Sequence, residues 1–264
     1  MSSAPFEETF LSIITVVRND PERLAATIES LGELYSDPRF EHVVIDGRST
    51  DIKTLQLIQK ASRHQNFKFV SEPDLGIYDA MNKGVHLSNG RFMLFLNSGD
   101  RLLASCSQLA MWLDALDGMQ GVQLACFNCQ MRQGAQLTLL EPQSATTYKM
   151  PTSHQAMVFS SAFMRSNLYD IRYRIAADFN LFLSADPART VVFRDGILTE
   201  IEAVGVASEN PAQSYKEYLQ IARRKLRGWS LWAAMTLIGC KGALVVAMKN
   251  ALPRRWVHGL RRWI

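Results

Sequence analysis

A chain of 264 residues with a formal net charge of +4 has room for one domain of about 200 to 250 residues plus an appendage, and its charge excess is too small to argue for a nucleic-acid partner. Of its four cysteines only Cys126 and Cys129 lie close in sequence, without the second Cys or His pair that a zinc site needs, so they read as free thiols packed in an intracellular core. The opening MSSAPFEETF has neither the basic start nor the apolar run of a secretory signal, and the cytoplasm is the expected compartment.

Over the first hundred or so residues, short β-rich runs alternate with helical patterns, as a parallel sheet with crossover helices requires. FLSIITVV (10–17) predicts the first strand. Asp20 as N-cap and Pro21 at the first helical position predict a helix with Leu24, Ile28, Leu31 and Leu34 on one face. HVVID (42–46) is the second strand, and Asp51 is placed to cap a helix carrying Leu55, Ile58 and Ala61. FKFVS (67–71) reads as a strand, IYDAMNKGVHLS (77–88) as a helix and RFMLFL (91–96) as the fourth strand. Beyond Leu103 the pattern predicts a helix near 105–117, strands near 122–130 and 136–140, and a loop over 141–154. A strand at HQAMVFS (154–160), a helix at IAADFNLFLSA (175–185) and strands near 190–204 follow. No internal repeat is evident.

In such sheets ligands bind outside the carboxyl ends of the strands. Here those ends are Arg18-Asn19-Asp20, Asp46-Gly47-Arg48, Ser71-Glu72-Pro73-Asp74 and Asn97-Ser98-Gly99-Asp100, which crowd acids onto one rim. Asp, Asn and Gly are also ordinary turn residues. Asp100 alone makes a poor metal cage, but magnesium is commonly held by one or two carboxylates completed by substrate phosphates and water. It reads either as half of such a site, with Gly99 leaving room for a diphosphate, or as a turn residue. Asp46 suits a contact to a base or ribose, or a cap on the next turn. Asp79 and Lys83 are spaced as an i, i+4 pair. Asp178, between Ala177 and Phe179, is an acid in an apolar pattern and hence a candidate general base. His154 alone is more often structural. The chain has no nucleophile elbow, HExxH, Walker A loop or GxGxxG, which counts against simple hydrolase, ATPase and dehydrogenase readings.

The motifs LSIITVVRND, VVIDGRSTD, SEPDLGIYDAMNKGV, GRFMLFLNSGDRL, SHQAMVFS and IAADFNLFL occur in the order and spacing of family 2 glycosyltransferases, over roughly residues 10–185. Among subgroups the chain most resembles bacterial exopolysaccharide transferases of the colanic-acid type. The resemblance implies an α/β A-type glycosyltransferase fold, with a central mostly parallel sheet flanked by helices. A nucleotide-sugar half would span about 8–103 and an acceptor half about 104–208. It implies inverting transfer from a nucleotide diphosphate-sugar to a saccharide acceptor, lipid-linked in that subgroup, with Mg2+ or Mn2+ as cofactor. Carried over by position, Asp46 contacts the base or ribose, Asp100 binds the metal and Asp178 deprotonates the acceptor. His154 serves the acceptor side; Asp74, Tyr78, Asp79, Asn82, Lys83, Asn97 and Gly99 serve the donor pocket. The chain departs from the family at Asn97 and Gly99, where acids are common, and at Arg48 and Ile52, where glycines are common. Rival readings are a non-catalytic nucleotide-sugar-binding or assembly protein of the same fold, and a sugar nucleotidyltransferase.

Residues 209–264 read as a basic helical tail: from Tyr215 onward eleven Lys and Arg face one acid, Glu217. WSLWAAMTLIGC, before Lys241, is short of the roughly 20 apolar residues of a membrane span. With LPRRWVHGLRRWI at the end, the tail reads as lying on the cytoplasmic face of the inner membrane; the alternative is packing against the catalytic domain or an oligomer contact.

Overall fold

The computed structural model describes residues 9–143, 150–203 and 210–251. The run LPRRWVHGLRRWI and part of the expected loop at 141–154 lie outside them. The first half follows the expected alternation: β1 (Leu11–Val17), α1 (Pro21–Ser30), β2 (Phe40–Asp46), α2 (Ile52–Ala61), β3 (Phe67–Ser71), α3 (Ile77–Leu87) and β4 (Phe92–Phe95). Asp20 and Asp51 cap their helices as expected, accepting from Arg23 N and Thr54 N. β5 (Arg101–Leu102), α4 (Cys106–Asp117), β6 (Leu124–Gln133), β7 (Gln136–Leu140), β8 (Met157–Ser160) and α5 (Ser161–Ser166) follow. The chain then runs through α6 (Ala177–Phe182), β9 (Thr190–Glu202), α7 (Pro211–Lys225) and α8 (Gly228–Ala251).

One sheet runs β3-β2-β1-β4-β8-β6-β9-β5, with β7 paired to β6. The β3-β2-β1-β4 part is parallel throughout, whereas β8 runs antiparallel to both β4 and β6. Every residue of β1 and β2 is buried, as strands covered on both faces require. Ile14, Val16, Val43 and Ile45 face Met81 and Val85 of α3 in one core, which also takes in Phe179 and Ile221. Leu11, Ile13 and Leu94 face Leu109, Trp112 and Leu116 of α4 in the other. The Trp112 ring lies 4.9 Å from that of Phe127. Trp112→Ala is expected to cost about 3–5 kcal/mol in urea unfolding, and a loss below about 1 kcal/mol would contradict α4's place in the core.

Several local expectations change. His154–Ala156 is a 3-10 turn ahead of β8, and α5 follows it directly, capped by Ser160. The helix around Asp178 has only six residues, because Ser184 and Ala185 bond three residues back and tighten it. The expected strands at 190–204 form one strand with a bulge against β6.

The largest revision concerns the tail. Ser214, Glu217, Ile221 and Ala222 of α7 are buried, and Ile221 belongs to the main core, so the packing alternative holds for α7. α8 packs Leu231, Ala234 and Ile238 against α7, leaving Trp229 and Trp232 85% and 72% exposed. No helix among the described residues is long and apolar enough to cross a membrane.

Candidate active site

The Asn97–Asp100 turn leaves the end of β4 and is pinned by α1. Thr27 Oγ1 donates to Asp100 O (2.8 Å) and accepts from Gly99 N (3.0 Å), while Asp100 N closes the turn on Asn97 O (2.9 Å). Gly99 has φ +101°, a conformation that favours glycine. A Cβ there would meet the Arg23 guanidinium, which lies over Gly99 in this structure. Arg23 pairs in turn with Glu202 (3.1 Å) and Asp20 (3.7 Å).

Three polar atoms of this turn are buried without a hydrogen-bond partner: Asn97 Oδ1, Ser98 Oγ and Asp100 Oδ2. Orphaned buried acceptors are costly, and three in four residues mark a place built for something else to fill. Asp100 is 4% exposed, and burial lifts its carboxyl to about 7 against the opposing pull of Arg23 and Gln155. A divalent cation would relieve that cost. Oxygen donors of this kind fit Mg2+ or Mn2+. Among the described residues no three His, Cys, Asp or Glu side chains gather as a self-sufficient metal cage, so the remaining ligands would have to come from phosphates and water.

The turn lines a cavity of about 790 Å3 whose wall also includes Arg18, Arg23, Tyr78, His154, Asp178 and Tyr218. Asp178 sits in the first turn of α6, half-buried, with one carboxylate oxygen accepting from Phe179 N (2.7 Å). Burial raises its carboxyl to about 6. Tyr78 donates to Ile175 O (2.7 Å), holding α3 against the segment that leads to Asp178. His154 is buried, shares a short 2.5 Å bond with the Tyr169 hydroxyl and stacks on Phe95, and burial lowers its pKa to about 4. It is therefore a neutral imidazole in the wall at neutral pH.

The cavity thus unites Tyr78, Asn97, Asp100, His154 and Asp178. Its wall does not include Asp46, Asp74, Asp79, Asn82 or Lys83, whose side chains are engaged within the protein. Asp46 is fully buried and accepts from Ser49 N, Ser49 Oγ and Ser71 Oγ, so both oxygens hold the turn after β2. Asp74 bonds Gly76 N, and Asp79 accepts from Leu75 N. Lys83 pairs with Glu72 (2.8 Å) and with Asp79 (3.7 Å), the expected i, i+4 pair. Asn82 clamps both backbone groups of Tyr169 at 2.9 Å. In this structure these side chains brace the turns after β2 and β3 and tie α3 to the segment at Tyr169. Sequence reasoning missed Arg23 and Tyr218. Arg23 stands three residues after its N-cap and resembles an ordinary helical ion pair; Tyr218 was hidden by the basic composition around it.

An open α/β sheet with a polar cavity at its strand ends, orphaned oxygens on one wall and the Asp178 carboxylate on another is the placement expected of a ligand site in such folds. The family model described as Glycosyl transferase family 2 matches residues 12–165. An uncharacterized glycosyltransferase of Mycobacterium tuberculosis is 33% identical over 215 residues, covering 79% of each chain. The fold recurs in S. aureus TarS with TM-score 0.61 and 19% identity, over 81% of this chain but only 39% of that longer one. It recurs too in the mannosyltransferase PcManGT of Pyrobaculum calidifontis, solved with GDP-Man and Mn2+, with TM-score 0.61 and 14% identity over 99% of this chain and 81% of that one. The chain belongs to glycosyltransferase family 2.

Proposed function

We propose that this family 2 enzyme moves a sugar, with inversion, from a nucleotide diphosphate-sugar to a hydroxyl of a lipid-linked saccharide in bacterial exopolysaccharide or surface-polysaccharide assembly. The observation that carries the reading is a single cavity holding both Asp178 and the three unpaired groups of the 97–100 turn. Arg18 and Arg23 on the same wall suit a diphosphate. The colanic-acid-type resemblance supports the polysaccharide acceptor.

Asp100 would hold Mg2+ or Mn2+ with Asn97 and Ser98 as neutral neighbours, and the cation, when bound, stabilises charge on the leaving diphosphate. The Mn2+ in the Pyrobaculum protein supports this use of the fold. Asp178 takes the proton from the acceptor hydroxyl as that oxygen bonds to the anomeric carbon. The bond from that carbon to the diphosphate breaks, and the nucleoside diphosphate departs with the electron pair. Of the other carboxylates on the wall, Asp20 and Glu202 are engaged with Arg23, which leaves Asp178 as the free base. His154, neutral and fixed by Tyr169, offers the acceptor a hydrogen-bonding edge.

A thermal-shift screen of nucleoside diphosphates with Mn2+ identifies the donor nucleotide, because a ligand of the folded state alone raises its melting temperature. Turnover of the matching sugar donor should release nucleoside diphosphate; release of pyrophosphate would overturn the reading in favour of a nucleotidyltransferase.

For the tail, the basic run Arg223, Arg224, Lys225 and Arg227 beside exposed Trp229 and Trp232 supports docking on an anionic cytoplasmic leaflet. Truncation is a poor test, since α7 belongs to the core. The full-length Trp229→Ser, Trp232→Ser variant should lose co-sedimentation with anionic vesicles. Undiminished binding would contradict membrane contact through this face.

A further inference from the structure

We infer that α7 is a clamp for the catalytic base, with Glu217 and Lys225 as positioning residues that fix the segment carrying Asp178 from both sides. The inference rests on the assignment of Asp178 as that base. Glu217 is the one acid in the basic tail, yet it is 2% exposed. Its carboxylate accepts from three successive backbone N–H groups just ahead of α6: Arg174 (3.2 Å), Ile175 (2.9 Å) and Ala176 (3.0 Å). Gln213, one turn earlier on α7, adds a fourth bond at 2.8 Å. No side chain of the local sequence caps α6, so its entry is fixed by a carboxylate about forty residues away.

Beyond Asp178 the same helix acts again. Lys225 Nζ donates to Asn180 O (3.0 Å) and to Ser184 Oγ, and Arg224 donates to the Tyr173 hydroxyl (3.2 Å). Tyr218, between these two anchors, packs edge-on against Phe179 at 5.1 Å and reaches the cavity wall. The segment from Tyr173 to Ser184 is therefore held at both ends by one rigid element. An acid meeting backbone donors and an ammonium meeting backbone and hydroxyl acceptors are each charge-assisted bonds, the stronger kind. Core filling alone would not call for a fully buried carboxylate with four donors, since an apolar side chain buries at lower cost. A base set in this way can meet an acceptor hydroxyl without the segment first having to be ordered.

The test compares Glu217→Gln, Lys225→Met, Lys225→Arg and Asp178→Asn in the full-length protein, assayed with the donor found by thermal shift. Glu217→Gln should lower kcat on the order of 10- to 100-fold with donor KM and nucleoside diphosphate affinity unchanged. Lys225→Met should lower kcat in the same way, and Lys225→Arg should restore it. The titratable groups facing Asp178 are Tyr78 from α3, Tyr169 from the preceding segment, and Glu217 and Tyr218 from α7. The Glu217 charge favours the protonated form of Asp178, so Glu217→Gln should also move the acid limb of the rate profile to lower pH. Full kcat in Glu217→Gln while Asp178→Asn is dead would overturn the clamp and leave the base standing. A parallel loss of kcat and nucleotide affinity would overturn it as general damage. Full turnover by Asp178→Asn would remove the base itself. Should Glu217→Gln not fold, the Lys225→Met and Lys225→Arg pair, at the exposed end of α7, decides the question alone.

Discussion

Replacing Asp178 by Asn lowers turnover by about 10²- to 10⁴-fold while nucleoside diphosphate binding persists. The amide keeps the bond from Phe179 N and nearly the same volume, so the cavity survives, but it cannot take a proton at neutral pH. The pH dependence of the wild type carries the same signature. Burial raises the Asp178 carboxyl to about 6, and a base must be ionised to act. With the divalent ion saturating, so that Asp100 stays ionised, kcat/KM should therefore rise with pH through about 6 and level off above it. Sensitivity confined to nucleotide affinity, with kcat intact, would assign Asp178 to binding instead.

Asp100→Asn should split activity from stability. Removing the charge that would hold the cation is expected to cost about 10²- to 10³-fold in turnover, the scale seen when one preorganised contact to developing charge is lost. The Mn2+-dependent rise in melting temperature on adding nucleoside diphosphate should vanish with it. Yet the metal-free variant should melt no lower than the wild type, because Asp100 Oδ2 is buried without a partner and burial outweighs the pull of Arg23 and Gln155 on its charge. A variant that loses stability without metal would show that the carboxylate is structural. Such a conflict between fold and function is the usual condition of a site that waits for its ligand.

The parallel half of the fold was legible because its signals are local. Asp20-Pro21 and Asp51 announce helices within three residues, and apolar runs such as LSIITVV announce strands buried on both faces. The turn with the orphaned oxygens was legible for the same reason, since Asn97 to Asp100 stand together in sequence. Less legible was which of the polar side chains at these ends also bond within the protein. Asp46, Asp74 and Asn82 have the right types at the right strand and helix ends, but their partners are Ser71, Gly76 and Tyr169, and the longest of those separations is invisible to local pattern. The tail misled in the opposite direction. Its charge suggested a surface helix, whereas Ser214, Glu217, Ile221 and Ala222 fall at i, i+3, i+7 and i+8, the stripe of a helix buried on one side. Glu217, the one acid among eleven bases, was the sign that the tail meets backbone donors.

The first-formed anomer of the sugar released from the matched donor, with water or acceptor as nucleophile, tests the central claim most directly. One free carboxylate acting as a base predicts inverted configuration in early NMR spectra, accompanied by nucleoside diphosphate. A product that first appears with the donor's own anomeric configuration would contradict single-step transfer assisted by Asp178.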